Sequence, residues 1–142
     1  MLSLSIVTRL NQKSDTSEVI WEKIKTKHSY RLLSNEKNIP NKVVILHSEN
    51  YNQYATAEWH EKFLDTTQRK VSFHFVIDDS LTIQTYPLEY VSYHTKGCNP
   101  NTISILLCEN QTEKAERFLI SLVAYLVRRY NLSTDKIIQK SD

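Results

Sequence analysis

Glycine occurs once in these 142 residues, at Gly97. An average chain holds about 7%, so backbone positions that need a positive φ must use other residues, and asparagine is the best substitute. Cysteine occurs twice, at Cys98 and Cys108, in neither a CxxC nor a CxxH spacing. That excludes a disulfide-rich scaffold and fits a reducing compartment. No apolar run approaches the roughly 20 residues that a bilayer span requires. Neither sign of charge dominates, since 18 Lys and Arg stand against 16 Asp and Glu for a net +2. The basic residues are scattered, which argues against nucleic acid as a partner. The start, MLSLSIVTRLNQK, lacks a basic region ahead of its apolar stretch and lacks a small-residue cleavage site. A secretory signal is therefore not expected, and the expectation is a cytoplasmic protein with no membrane partner.

What is present is an ordinary globular composition, 40% hydrophobic and 24% charged, in a chain long enough to bury one core as a single domain over residues 1–142. Leu2–Thr8 alternates weakly as an edge strand, and Asp15 with Glu18 three residues on reads as the start of a helix to about Lys27. Ser34–Asn41 is polar, contains Pro40 and reads as a loop. Val43–Leu46 is a continuous apolar run ending at His47, as in a strand buried on both faces. Thr56–Thr66 places Trp59, Phe63 and Leu64 at helical spacing. Phe73, Phe75 and Ile77 alternate as a strand, Asp78-Asp79-Ser80 supplies a turn, and Leu81–Thr85 returns as the hairpin partner. Ile103, Leu106 and their neighbours form another strand. The long stripe from Ala115 through Leu119, Leu122, Val123 and Leu126 to Tyr130 predicts the strongest helix, with Asn131 at its stop. Ile137–Ile138 can begin a last strand. Strands interleaved with helices predict an α/β domain with a mixed central β-sheet flanked by helices.

Three segments in order, VVILHSEN (Val43–Asn50), SFHFVIDDSLTIQTYPLEYVSYHTKG (Ser72–Gly97) and NTISILLCEN (Asn101–Asn110), resemble the zinc-dependent N-acetylmuramoyl-L-alanine amidases. This is the type-2 amidase and peptidoglycan-recognition family, and the likeness is strongest to phage and bacterial wall lysins. Residues 1–41 carry none of it and read as an N-terminal extension packed on the domain. The resemblance implies the family fold and a groove for muropeptide. It also implies a zinc held by three protein ligands, with one position left open for water and substrate.

Several positions depart from that pattern. The family's first ligand is a His at the end of a buried strand, and VVILHS aligns His47 with it. Taken alone, a strand-end histidine satisfied by backbone is the plainer reading. The second ligand is a His after the long helix, and the alignment places Lys140 there, whose protonated ammonium has no lone pair for a metal. The third, a Cys or Asp, would fall beyond Asp142. The proton carrier is a Glu in a run like IGIEICEN, where ISILLCEN has Leu106, or a Tyr in GYHF, where SFHF has Phe73. Glu109 lies three residues past Leu106, on the other side of the strand. On the substrate side the resemblance implies His94, Lys96 and Gly97, and His74, inside SFHF, either points toward the groove as a further contact or merely packs. A zinc site rebuilt from His47, His94 and either His74 or Cys98 is the remaining metal option.

These readings predict a catalytically inactive, amidase-like protein of phage or bacterial origin that acts by binding, without a cofactor and with His47 as a vestigial ligand. The expected partner is a peptidoglycan fragment or a host protein. The alternatives are an active zinc-dependent wall amidase, or a fragment of one, and a protein-interaction or inhibitor module built on the same fold.

Overall fold

The computed structural model describes residues 24–26, 30–33, 35–48, 50–94, 99–108 and 113–141. Its elements are β1 (Lys42–His47), α1 (Ala57–Thr66), β2 (Phe75–Ile77), β3 (Thr82–Gln84), β4 (Thr102–Leu107), α2 (Glu113–Arg129), a 3-10 turn (Thr134–Lys136) and β5 (Ile137–Ser141). The strands form one sheet in the order β3-β2-β4-β1-β5. Only the β2–β3 hairpin is antiparallel; β2–β4, β4–β1 and β1–β5 are parallel. The sheet is therefore mixed, with helices covering its faces, as expected from the alternation of strand and helix patterns. The expected strand at Leu2–Thr8 and the body of the expected helix after Asp15 lie outside the described residues.

The central strands are mostly apolar because both faces are covered, with Thr102 and Ser104 as buried polar exceptions in β4. Val43, Ile45, Phe75, Ile77, Ile103, Ile105 and Leu107 pack under the buried stripe of α2, Ala115, Leu119, Leu122, Val123 and Leu126. Val44, Leu46, Val76, Ile83 and Leu106 turn to the other face, against Ala57 and Leu64 of α1. Ile24 of the N-terminal segment joins the α2-side core, and Lys25 bridges alongside β3 at Ile83.

Asparagine takes the left-handed backbone positions, at Asn101 (φ 62) and Asn131 (φ 53). At Asn131 the need is specific. The Asn131 N–H reaches the Arg128 carbonyl at 3.3 Å and the Leu132 N–H reaches the Val127 carbonyl at 2.9 Å. This double bond pattern closes a helix through a residue at positive φ. Asp78 links the hairpin to α1. Its Oδ1 accepts from the Ser80 and Leu81 amides at 2.7 and 2.8 Å, and its Oδ2 accepts from the Ala57 amide at 2.8 Å. A carboxylate there satisfies an otherwise unpaired donor at the helix N-terminus and complements its dipole. Thr56 caps the same helix by accepting from the Trp59 amide.

Candidate functional site

On the α1 side of the sheet lies a cavity of about 670 Å³, lined from α1 by Trp59, His60, Phe63 and Leu64 and from the sheet by Phe73 and Leu106. Arg69, Lys70 and Val71 form one wall, Tyr93, His94 and Asn99 another, and Ser48 and Asn50 close the end beyond β1. The stripe expected of α1 divides differently from the sequence expectation. Ala57, His60 and Leu64 are its buried residues, while Trp59 is 44% exposed. Trp59 stacks on Phe63 at 5.6 Å between ring centroids, 7° from parallel, and meets His60 edge-on at 4.9 Å. The pair therefore presents an aromatic surface to the cavity, with Phe63 packed against the core behind it.

Phe73 departs from simple alternation as well. It precedes the first paired residue of β2, so its side chain is free of the strand's two-residue period and turns into the cavity-side cluster, opposite Phe75. Tyr93 is fixed by reciprocal bonds with Ser72, from Ser72 N–H to the Tyr93 carbonyl at 2.8 Å and from Tyr93 N–H to the Ser72 hydroxyl at 3.0 Å. The Lys70 ammonium lies 4.4 Å over the Tyr93 ring, a favourable cation–π placement.

His94 is in the cavity wall, 9% exposed. Its Nε2 lies 3.1 Å from the Thr102 hydroxyl, which itself donates to the Asn99 carbonyl, so His94 is the donor in that pair. Burial, and after it the charge of Lys140, lowers its pKa to about 4. The ring is neutral at pH 7 and serves hydrogen bonding, not charge.

His74 is fully buried and does not reach the cavity. The Ser104 amide donates to its Nδ1 at 3.0 Å, and its Nε2 donates to the Tyr90 carbonyl at 2.9 Å. Both ring nitrogens are used, the tautomer is fixed by partners of opposite kind, and burial lowers the pKa to about 4. The expectation of a substrate contact is corrected here: the ring pins β2 and the Tyr90 segment to β4. Lys96 and Gly97, together with Cys98 and Glu109, lie outside the described residues.

His47 sits at the end of β1 but on the face away from the cavity. Strand alternation places it with Val43 and Ile45, and its Nε2 lies 3.3 Å from Oε1 of Gln139, whose register partner is Ile45. The cavity-side residue is its neighbour Leu46, which pairs in register with Leu106 on one side and Lys140 on the other. Across β4, β1 and β5, one row on that face thus reads Leu106, Leu46, Lys140. Among the described residues no group of three or more His, Cys, Asp or Glu is placed to hold a metal ion.

Residues 36–142 fit the family profile described as N-acetylmuramoyl-L-alanine amidase. The chain belongs to that family. Its sequence is similar to the N-acetylmuramoyl-L-alanine amidase CwlH of Bacillus subtilis (strain 168), 28% identical over a 107-residue alignment that covers 70% of this chain and 43% of CwlH. The chain thus spans less than half the length of that relative. Among solved structures, a mutant endolysin from Bacillus subtilis superposes with a TM-score of 0.74 at 24% identity over 82% of each chain. The catalytic domain of XlyA gives 0.73 at 23% identity, again over 82% of each. The Staphylococcus aureus hydrolase AmiA, solved with its ligand, gives 0.65 at 16% identity over 89% of this chain and 72% of AmiA. These likenesses establish the amidase fold. The family match begins at residue 36, ahead of Lys42, where the recognisable motifs start.

The sequence reading missed His60, Trp59 as a cavity residue, and the Arg69–Lys70 wall. The spacing of 57, 60 and 64 was a usable signal for His60, since it marks the buried stripe of α1. No periodic signal marks Arg69 and Lys70, which lie in the loop after that helix.

Proposed function

We propose that this amidase-family domain binds a peptidoglycan fragment in the α1-side groove and does not hydrolyse it. The observation that carries the reading is the row Leu106, Leu46, Lys140. Zinc ligands contributed by neighbouring parallel strands must project from one face, because a shift of one residue reverses every side chain. Lys140 aligns with the family's second ligand, and its partner in register is Leu46, so the first-ligand position falls on Leu46 and not on His47. Leu106 aligns with the proton carrier. An aliphatic side chain and an ammonium at the two ligand positions do not fit a zinc ion, and no catalytic step is assigned through one.

What the groove's own residues do is bind. Trp59 and Phe63 offer an apolar face to a sugar ring or an alanyl methyl. His94, held neutral, and the amide of Asn99 offer polar contacts at the opposite wall. His60, 7% exposed, has an Nε2 without a hydrogen-bond partner. A buried polar atom left unpaired favours a ligand that supplies the missing bond. Amide shifts on titration with muramyl dipeptide, together with mass analysis of wall fragments after prolonged incubation, test the reading. Shifts at Trp59, His94 and Asn99 with intact fragments are expected. Release of free stem peptide would contradict it.

A further inference from the structure

Among the described residues, the lining of the groove is charged in one sense only. Arg69 and Lys70 belong to it, and no Asp or Glu does among the described residues. Lys140 adds a third positive charge near His94, where its field is felt by the ring. A groove whose charged residues, among those described, are all cations favours an anion in a protein of nearly balanced charge.

The cationic wall is also held in place. The Thr67 N–H closes α1 on the Phe63 carbonyl at 2.8 Å, and the Thr67 hydroxyl accepts from the Arg69 amide at 3.2 Å. Arg31 then reaches across from the N-terminal segment. Its Nη1 donates to the Thr67 carbonyl at 2.7 Å, and its Nη2 donates to the carbonyls of Arg69 and Val71 at 3.3 and 3.1 Å. One planar guanidinium spans three successive alternate carbonyls of this loop, a fork that a lysine cannot reproduce. Arg31 lies ahead of residue 36, where the family match begins. The element that fixes this wall therefore comes from outside the family match.

We infer that the groove recognises the free carboxylates of a peptidoglycan stem peptide through Arg69 and Lys70, with Arg31 as the positioning residue that holds their loop. This rests on the binding function proposed above and specifies its chemistry. Neither Arg69 nor Lys70 has an acidic partner among the described residues, so binding an anion requires no existing ion pair to break. The guanidinium of Arg69 suits bidentate capture of a carboxylate, while Lys70, resting on Tyr93, supplies a point charge.

The test is calorimetric titration with N-acetylmuramoyl-L-alanyl-D-glutamate and with its diamide. The acid is expected to bind about tenfold more tightly than the diamide at low salt, and the preference is expected to shrink at an ionic strength of about 0.5 M. Arg69→Gln with Lys70→Gln is expected to abolish the preference while the diamide still binds. Arg31→Gln and Arg31→Lys, each checked for native circular dichroism, are both expected to lower the acid-to-diamide ratio, although the second keeps the charge. Equal affinity of the native protein for acid and diamide would overturn the carboxylate inference and leave the binding function standing. Binding of neither compound would overturn both. An unchanged ratio in the two Arg31 variants would reduce Arg31 to a structural role.

Discussion

On one side of the sheet, α2 covers Val43, Ile45, Ile103 and Ile105 with an unbroken apolar stripe, and the side chains there are fully buried. On the other side, the short helix α1 covers only part of the sheet, and the uncovered remainder is a groove lined by aromatic, basic and neutral histidine side chains. The same strands supply both faces, residue by residue in alternation. The α2 face is shaped by volume alone, so its sequence reads as periodic hydrophobicity. The groove face stays open, so its residues are chosen for chemistry and come from α1, from loops and from the strands alike.

The comparison predicts a hierarchy of costs. The largest belongs to the α2 face: Leu122, fully buried at the centre of the stripe, should destabilise the domain by about 2–5 kcal/mol as Leu122→Ala. Chemical denaturation with an unchanged m-value checks this, and a loss under about 0.5 kcal/mol would mean that α2 is not the principal cover.

Next comes acid. His74 and His94 have folded pKa values lowered to about 4, chiefly by burial, against about 6.5 in an unfolded chain. The unfolded state therefore binds more protons between these values. Stability is full above pH 6.5, falls as pH drops from about 6.5 to about 4, and is no longer altered by these rings below that. For His74 the loss is on the order of 3 kcal/mol. Urea midpoints measured across this window check the slope; a flat profile would place the rings in contact with solvent or an acid.

The smallest stability cost falls on the groove. Trp59→Ala should change stability by less than about 1 kcal/mol because Trp59 is 44% exposed, yet weaken muramyl dipeptide about tenfold if its ring is a contact surface. A large loss of stability with unchanged binding would return Trp59 to the core and erase the contrast between the faces.

The sequence disclosed the α2 face almost completely. The stripe from Ala115 to Leu126, the stop at Asn131 and the apolar strands at Val43–Leu46 and Ile103–Leu107 are periodic features, and packing rewards periodicity directly. The groove was legible mainly where a family motif crossed it, at Phe73, His94, Leu106 and Lys140. His47 and His74 were read as site residues because a motif gives order along the chain but not the direction of a side chain. One residue of register separates Leu46 from His47, and only the pairing with Gln139 and Lys140 shows which of them faces the groove. Arg31 had no signal at all, since its partners are carbonyls 36 to 40 residues away.

The register argument has a direct consequence for metal. Lys140→His alone leaves its imidazole beside Leu46 and should gain no zinc, whereas Leu46→His with Lys140→His sets two imidazoles in adjacent register and should raise zinc affinity measurably. The central claim itself is tested most directly by the zinc content of the native protein, purified without chelator and measured by elemental analysis. The account predicts less than about 0.2 equivalents, the background of a chain with no competent ligand set. Stoichiometric zinc that survives dialysis and is lost in His47→Ala would contradict it.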